Sequence, residues 1–346
     1  MNKYIEFLCN KYPNLVAKMK KSEHAFIEYG DVISHNPYHL EGSIWSHTLM
    51  VCKVAELYNM SENVKIACLL HDIGKIYARQ QTDKRKVAFY GHAGYSFFMA
   101  IEILNKISKE LHYLSKEDKI EILSLIALHS EFLELRDKED KIKQVFRNNK
   151  DLYHKALDVF FCDSNGRYFS TDTDKISLTQ GMLNEYKNID VEKIEYGFPL
   201  LKDRRMTILC GLPCSGKSTT AQRYKDIGFT IISRDDIVME LSGKEKYDEA
   251  WKIVDQNKVD KIEQQRFSQA IKENKNIVID KTNLSRKNRR KYISALPDNY
   301  IVDCLIFATP YDEIMERNTQ REGKTIPKSV YFDMMKSFCL PLKSEG

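Results

Sequence analysis

The eight residues Gly211-Leu212-Pro213-Cys214-Ser215-Gly216-Lys217-Ser218 constrain this chain more than any other stretch. The apolar run Thr207–Cys210 leads into them and reads as a buried strand, while Thr219–Tyr224 reads as the start of a helix. A strand, a glycine loop and a helix start, in that order, make a cradle for phosphate. Glycine lets backbone approach an anion closely, and the first N–H groups of a helix favour negative charge. Lys217 is placed to reach the β- and γ-phosphates, and the Ser218 hydroxyl to hold Mg²⁺. Gly211, Ser215, Gly216 and Thr219 complete the expected triphosphate-binding set. The stretch implies a bound nucleoside triphosphate, ATP or another, since no base-reading motif is visible.

A chain of 346 residues exceeds one such domain. Single cores stop growing at roughly 250–300 residues, so two domains are expected. A composition 42% hydrophobic and 30% charged suits a globular chain. No apolar run nears the ~20 residues that span a membrane, and the N-terminus lacks an apolar signal core. The eight cysteines are scattered without Cys-x-x-Cys pairs, which points to reduced thiols and a cytoplasmic setting. The net charge of +5 permits a nucleic-acid partner without requiring one.

Residues 1 to about 168 read as almost wholly helical, with apolar spacing in Leu49, Val51, Val54, Leu57 and in Ile101, Ile103, Leu104, Ile107. Ser170–Asp174, Asn188, Asp190 and Gly197-Phe198-Pro199 mark a loose connection, with one short helix around Met182–Lys187. From Met206 onward the apolar runs Thr207–Cys210, Phe229–Ile232, Ile277–Ile279 and Ile301–Phe307 alternate with amphipathic segments. That alternation argues for a mostly parallel sheet covered on both faces. The expected organisation is an all-α domain over 1–170, a linker over 171–205 and an α/β domain over 206–346.

Ser233-Arg234-Asp235-Asp236 follows the second predicted strand and Asp280-Lys281-Thr282-Asn283 the third. Ligand groups in open α/β sheets gather at the carboxyl ends of strands, which brings both to the phosphate loop. An aspartate there can take a proton from an attacking hydroxyl; the same Arg-Asp-Asp run also suits the acidic first turn of a helix. Arg317 and Arg321 lie four apart, on one face of a predicted helix, and can clamp a transferring phosphoryl group. The basic run Arg286–Lys291 reads either as a phosphate-tracking patch or as a solvated helix face.

Taken in order, GLPCSGKST, SRDD, DKTNLSRKNRR and ERNTQREGKTIP resemble the P-loop kinase domain of polynucleotide 5′-hydroxyl kinases, over residues 206 to about 339. The resemblance implies Asp235 as general base on a 5′-OH, Lys217 and Ser218 on triphosphate and metal, and Arg317 and Arg321 as lid arginines. It places Asp280 near the metal and hydroxyl. One position departs: Val238 stands where an arginine that holds the acceptor end is expected.

The N-terminal half carries a second constellation: His47, His71-Asp72 in His-Asp-Ile-Gly-Lys, His92, His129 and Asp163. Imidazole and carboxylate suit first-row divalent metals, and a carboxylate such as Asp72 can bridge two ions. The absence of thiolates from the set argues against structural zinc. Lys75 is close enough in sequence to contact a substrate phosphate. His35 and His39 are expected to support the ligands or touch substrate, and His24, His112 and His154 are left without a role.

This half resembles the HD superfamily of metal-dependent phosphohydrolases over residues ~25 to ~168, and most of all the HD domain attached to some bacterial CCA-adding enzymes. The resemblance implies one or two divalent ions (Mn²⁺, Ni²⁺, Co²⁺ or Fe²⁺) and action on 2′,3′-cyclic phosphates and phosphomonoesters. The whole chain is thus similar to bifunctional end-healing enzymes that fuse an HD phosphoesterase to a polynucleotide kinase. That implies RNA or DNA ends as partners, with a ligase acting downstream and no membrane. A nucleoside or sugar kinase joined to an HD nucleotide phosphohydrolase is the alternative, and an HD sensor with the P-loop as a switch a further one.

Overall fold

The computed structural model describes residues 1–23, 26–29, 32–35, 39–81, 87–135, 138–168, 178–192 and 204–345, of which 26–29, 32–35, 81 and 134 by backbone alone. The chain forms two compact units, Met1–Ile194 with Leu342–Ser344, and Glu195–Pro341 with Glu345–Gly346. No helix among the described residues is long and apolar enough to cross a membrane.

The N-terminal unit is a helical bundle whose site-bearing helices are α1 (Ile44–Leu57), α2 (Glu62–Leu70), α3 (His92–Glu110), α4 (Lys116–Leu128) and α5 (Lys150–Asn165). Each of four starts on a polar cap: Ser43, Ser61, Ser115 and Asn149 side chains accept first-turn N–H groups, Ser115 within a full capping box with Asp118. The α3 face predicted from spacing is buried at Ile101, Ile103, Leu104 and Ile107. In α1 the spacing misplaces the face. Val51 is buried as expected, but Leu49 and Leu57 are exposed, and Ile44, Trp45, Thr48, Cys52 and Ala55 are buried in their place.

The unit is not wholly helical. Two short antiparallel pairs, Phe26–Tyr29 with Val32–His35 and Gln80–Gln81 with Val87–Ala88, depart from the expected all-helical pattern. Phe, Ile, Tyr and Val dominate the first pair, and such residues prefer the pleated backbone over the helix. The helix Gln180–Lys187 falls in the expected connection, yet it docks on α5. Tyr153 donates to the Tyr186 carbonyl at 2.8 Å, and Lys187 pairs with Asp158 at 2.7 Å. Ser170–Asp174 and Gly197–Pro199 lie outside the described residues.

The C-terminal unit is built on four parallel strands, β1 (Arg204–Cys210), β2 (Thr230–Ser233), β3 (Ile277–Asp280) and β4 (Tyr300–Ile306), in the order β2-β3-β1-β4. Registry pairs Met206 with Ile277 and Val302, and Ile232 with Ile279. Alternation sends Met206, Ile208, Ile277 and Ile279 to one face, where Phe267, Tyr292 and Tyr300 cover them. Leu209 and Val278 turn to the other face, onto Ala221. The central strands β1 and β3 are largely buried on both faces, as parallel sheets favour, while the edge strand β4 leaves Leu305 and Ile306 exposed. The helices that carry the site are α6 (Lys217–Asp226), α7 (Arg234–Ser242), α8 (Tyr247–Ile253), α9 (Gln256–Lys272), α10 (Arg286–Ile293) and α11 (Tyr311–Thr319).

Candidate functional site

In the N-terminal unit the helix ends converge. His47 lies in the first turn of α1, His71 caps the C-terminus of α2, His92 begins α3, His129 caps α4, and Asp163 ends α5. Asp72 sits at the centre. Its Oδ2 is 3.2 Å from His71 Nε2 and 3.6 Å from His47 Nε2, while its Oδ1 is 3.4 Å from His92 Nε2 and 3.7 Å from His129 Nε2. Asp163 Oδ1 closes the first group at 2.9 Å from His47 Nε2 and 3.8 Å from His71 Nε2. The six residues expected to hold metal are thus together, split into two sets that share Asp72.

Gly74 permits this approach. A Cβ there would lie 2.4 Å from the His92 carbonyl and 2.5 Å from Ser96 N, so only glycine lets α3 bring His92 to Asp72.

The ring orientations are set by local backbone. His71 Nδ1 donates to the Cys68 carbonyl at 2.8 Å, His92 Nδ1 to Phe89 at 2.8 Å and His129 Nδ1 to Ile126 at 2.6 Å. At the ends of α2 and α4 such carbonyls lack helical partners, and imidazole supplies one. A carbonyl only accepts, so each Nδ1 carries a proton and each Nε2 turns inward. Burial holds His92 down to about 4 and His129 to about 3, which keeps both rings neutral near pH 7.

Their Nε2 atoms nevertheless face each other at 2.9 Å, lone pair against lone pair. The buried Nε2 of His71 has no hydrogen-bond partner and faces carboxylates. Acceptors aimed at acceptors call for cations between them, so the donor set fits divalent metal.

His47 differs. Its Nδ1 lies 3.1 Å from Glu41 Oε1, which also meets His39 Nδ1 at 2.9 Å. Burial opposes charge on His47, but Asp163 and Glu41 outweigh it and push the ring up. Lys75 Nζ sits 2.7 Å from Asp72 Oδ2 and is itself buried. Arg167, four residues after Asp163, donates to the Asp163 carbonyl at 3.2 Å. Arg167 closes the Asp-x-x-Gly-Arg element that begins at Asp163, whereas Glu41 is not among the residues singled out from sequence. His39 lies beside the ligands, whereas the His35 side chain and His24 fall outside the described set. His112 stacks edge-on against Tyr4, and His154 meets the Lys187 carbonyl at 3.1 Å.

In the C-terminal unit the loop after β1 closes over the start of α6. Gly216 takes φ +98 and Cys214 φ +62, left-handed conformations that turn successive N–H groups to one side. Lys217 Nζ donates to the Leu212 carbonyl at 2.6 Å, and burial lowers its ammonium to about 8. Asp280 ends β3 facing the Ser218 hydroxyl, and burial raises its carboxyl.

A cavity of about 1560 Å³ is lined by Ser215, Gly216, Lys217, Ser218, Thr219, Asp235, Asp280, Arg317 and Arg321. Gly211 lies beneath it, packed so tightly on Phe307 that a Cβ would come within 2.8 Å of the Phe307 Cβ. Ser233 caps α7 by accepting from Asp236 N at 3.2 Å, so Arg-Asp-Asp is an acidic first turn as well as a cavity wall. Asp235 is about half exposed and contacts Lys324 Nζ.

Arg317 donates to the Cys214 carbonyl at 3.1 Å, and Arg321 reaches the Cys214 thiol at 3.6 Å. They do not share a helix face as expected. Helix α11 ends at Thr319 and leaves Arg321 in the following loop, which Asn318 pins by paired 3.0 Å bonds to Ile326. Gly323, at φ +67, and Pro327 oppose further helix.

The basic run does not form a uniform patch. Arg289 is buried against Glu345 at 2.7 and 2.8 Å and the carbonyls of Asn283 and Leu284.

Residues 44–164 match the family model described as HD domain, and residues 206–341 that described as AAA domain. The chain carries an HD domain followed by a P-loop, kinase-like domain. Among solved structures it is similar to a chain of the Pnkp1/Rnl/Hen1 RNA repair complex, at 24% identity and TM-score 0.34, covering 39% of this chain and 43% of that one. A second structure of the Pnkp1/Rnl/Hen1 complex gives 22% identity and TM-score 0.29, covering 40% and 46%. The match spans less than half the length of either.

Proposed function

We propose that this chain heals both ends of a broken nucleic-acid strand, phosphorylating a 5′-OH and removing 2′,3′-cyclic or terminal phosphate. The observation that carries the reading is one cavity lined by a phosphate loop, an exposed aspartate and two arginines, in a chain that also holds the doubled His/Asp site. Cleavage of RNA by transesterification leaves a cyclic phosphate and a 5′-OH, and the two sites answer to those two ends. A ligase is the activity that consumes the products.

At the kinase site Asp235 accepts the proton of the 5′-hydroxyl. The oxygen forms its bond to the γ-phosphorus as the bond to the β–γ bridging oxygen breaks, and the nucleoside diphosphate leaves. Lys217 and the two arginines meet charge on the transferring group; their preorganised donors act at the moment it develops. Ser218 and Asp280 would hold Mg²⁺.

At the HD site His47, His71, Asp72 and Asp163 would hold one ion, and Asp72, His92 and His129 a second. When bound, the ions on both sides screen phosphate charge, and at the HD site they lower the pKa of water. Lys75 and Arg167 flank that site as cations for the substrate phosphate.

The test offers 5′-OH and 2′,3′-cyclic-phosphate oligonucleotides to wild type, Asp235→Ala and Asp72→Ala. Each substitution is expected to abolish one activity and spare the other. A wild type that leaves both oligonucleotides untouched rejects the reading. The buried Val238 favours one competing view, a nucleoside or sugar as acceptor. Phosphate transfer to such a molecule and not to an oligonucleotide would establish it.

A further inference from the structure

An acceptor end has to be gripped as well as deprotonated, and Val238 offers nothing for that. It is fully buried, packed with Ile237, Ala250 and Val259. What this packing fixes is helix α8, which carries Ala250 on its inner side and presents Tyr247 and Trp251 to the cavity that holds Asp235 and Lys217. The two rings sit one helical turn apart, with centroids 5.9 Å apart and planes inclined by 29°. Lys324 Nζ, which pairs with Asp235, lies 3.7 Å from the Tyr247 ring centroid. Trp251 continues the stack along the cavity wall and is 45% exposed.

The placement is held by the arginine loop itself. Asp248 N donates to the Gly323 carbonyl at 3.0 Å, and Thr325 N to Asp248 Oδ2 at 3.2 Å. Lys252 and Lys324 line the same cavity as cations. A half-exposed indole in the cavity that also holds a hydroxyl-activating carboxylate, with cations around it, suits a flat ring tethered to phosphate.

Building on the reading above, we propose that Trp251, backed by Tyr247, is the platform on which the base of the acceptor's 5′-terminal nucleotide stacks. Every base offers a π face, so the platform selects a base-bearing strand end without selecting its sequence. Lys252, next to Trp251, meets the phosphate that follows.

The test compares two 5′-OH oligonucleotides of one sequence, the second lacking only its 5′-terminal base. On wild type the abasic acceptor should raise KM by about tenfold, within the range that base–aromatic stacking gives. Trp251→Ala should show that loss on the intact acceptor and no further loss on the abasic one, while Trp251→Phe recovers most of it. Triphosphate binding by calorimetry checks that the variant is folded.

Equal KM for the two acceptors on wild type, or losses that multiply in Trp251→Ala, overturns the platform and leaves the kinase standing. Failure of wild type to phosphorylate either oligonucleotide instead removes the kinase reading and the platform with it.

Discussion

The Nε2 atoms of His92 and His129 face each other at 2.9 Å while both Nδ1 atoms donate to backbone carbonyls. Two neutral rings in that arrangement repel, and a cation between them turns the repulsion into ligation. The expected stoichiometry is two divalent ions per chain, one per set around Asp72. His129→Ala should retain only the ion held by His47, His71, Asp72 and Asp163. Elemental analysis of chains loaded and then desalted checks this, and a wild type that keeps a single ion would show that the second set is structural.

Glu41 acts through His47, whose Nδ1 it faces at 3.1 Å. Partners of that kind orient a ligand and raise its basicity, and losing one typically costs 10–100-fold in metal affinity. Glu41→Gln should therefore weaken metal binding by about that factor with all ligands in place. Competition against a chromophoric chelator measures it; unchanged affinity would reduce Glu41 to a partner of His39.

Lys217 yields a pH dependence with a definite sign. Burial lowers its ammonium from the ordinary 10.5 to about 8, so between those values the unfolded chain binds more protons than the native one. Stability of the unliganded protein should rise with pH across that window, because the cost of a buried ammonium disappears. A bound triphosphate favours the ammonium, so binding near pH 8 should take up protons and weaken as pH climbs. Calorimetry in buffers of different ionisation heat reads the uptake. A value of zero for wild type, or the same value for Lys217→Met, would contradict it.

Much of this was legible because the signals are local. Apolar runs located all four strands; in β1 and β3, buried on both sheet faces, little polar alternation is left. The phosphate loop announces itself by glycine spacing, and His71-Asp72 by adjacency. Arg321 was misplaced because four-residue spacing marks one face only if the helix continues, and Gly323 and Pro327 stop it. Glu41 precedes its helix with no periodicity to mark it. Trp251 reads as one aromatic among many until Val238 is seen to be core. Arg289 looks like its basic neighbours in sequence, yet only it is buried against Glu345.

Arg317 and Arg321 meet the phosphate loop at one residue, Cys214, through its carbonyl and its thiol. Removing a single preorganised donor from a transition state typically costs on the order of 10²–10³ in kcat. Arg317→Ala and Arg321→Ala should each do so while KM for triphosphate changes far less. Steady-state kinetics at saturating acceptor separates the two parameters. A loss confined to KM would assign the arginines to ground-state binding.

Glu263 is the residue whose loss should be felt furthest from itself. It is fully buried on α9, accepts from Tyr292 Oη at 2.5 Å, and pairs with Lys281 at 3.0 Å and Arg234 at 3.7 Å. Lys281 follows Asp280 and Arg234 precedes Asp235, so one carboxylate braces the ends of β2 and β3 where both acids stand. Burial alone would raise its pKa, but Tyr292 and Lys281 overcome that and hold it below the usual range. A carboxyl depressed in this way stabilises the fold above its unfolded value of about 4.3 and loses that contribution as pH falls through the native one. Breaking a buried pair from one side typically costs 3–5 kcal/mol, because the partner charge stays behind. Glu263→Gln should lower the unfolding free energy by about that much at pH 7 and flatten its fall in acid. Denaturant unfolding from pH 7 to pH 3 tests both. A variant as stable as wild type at pH 7 would mean that solvent already satisfies Lys281 and Arg234, and the brace would be refuted.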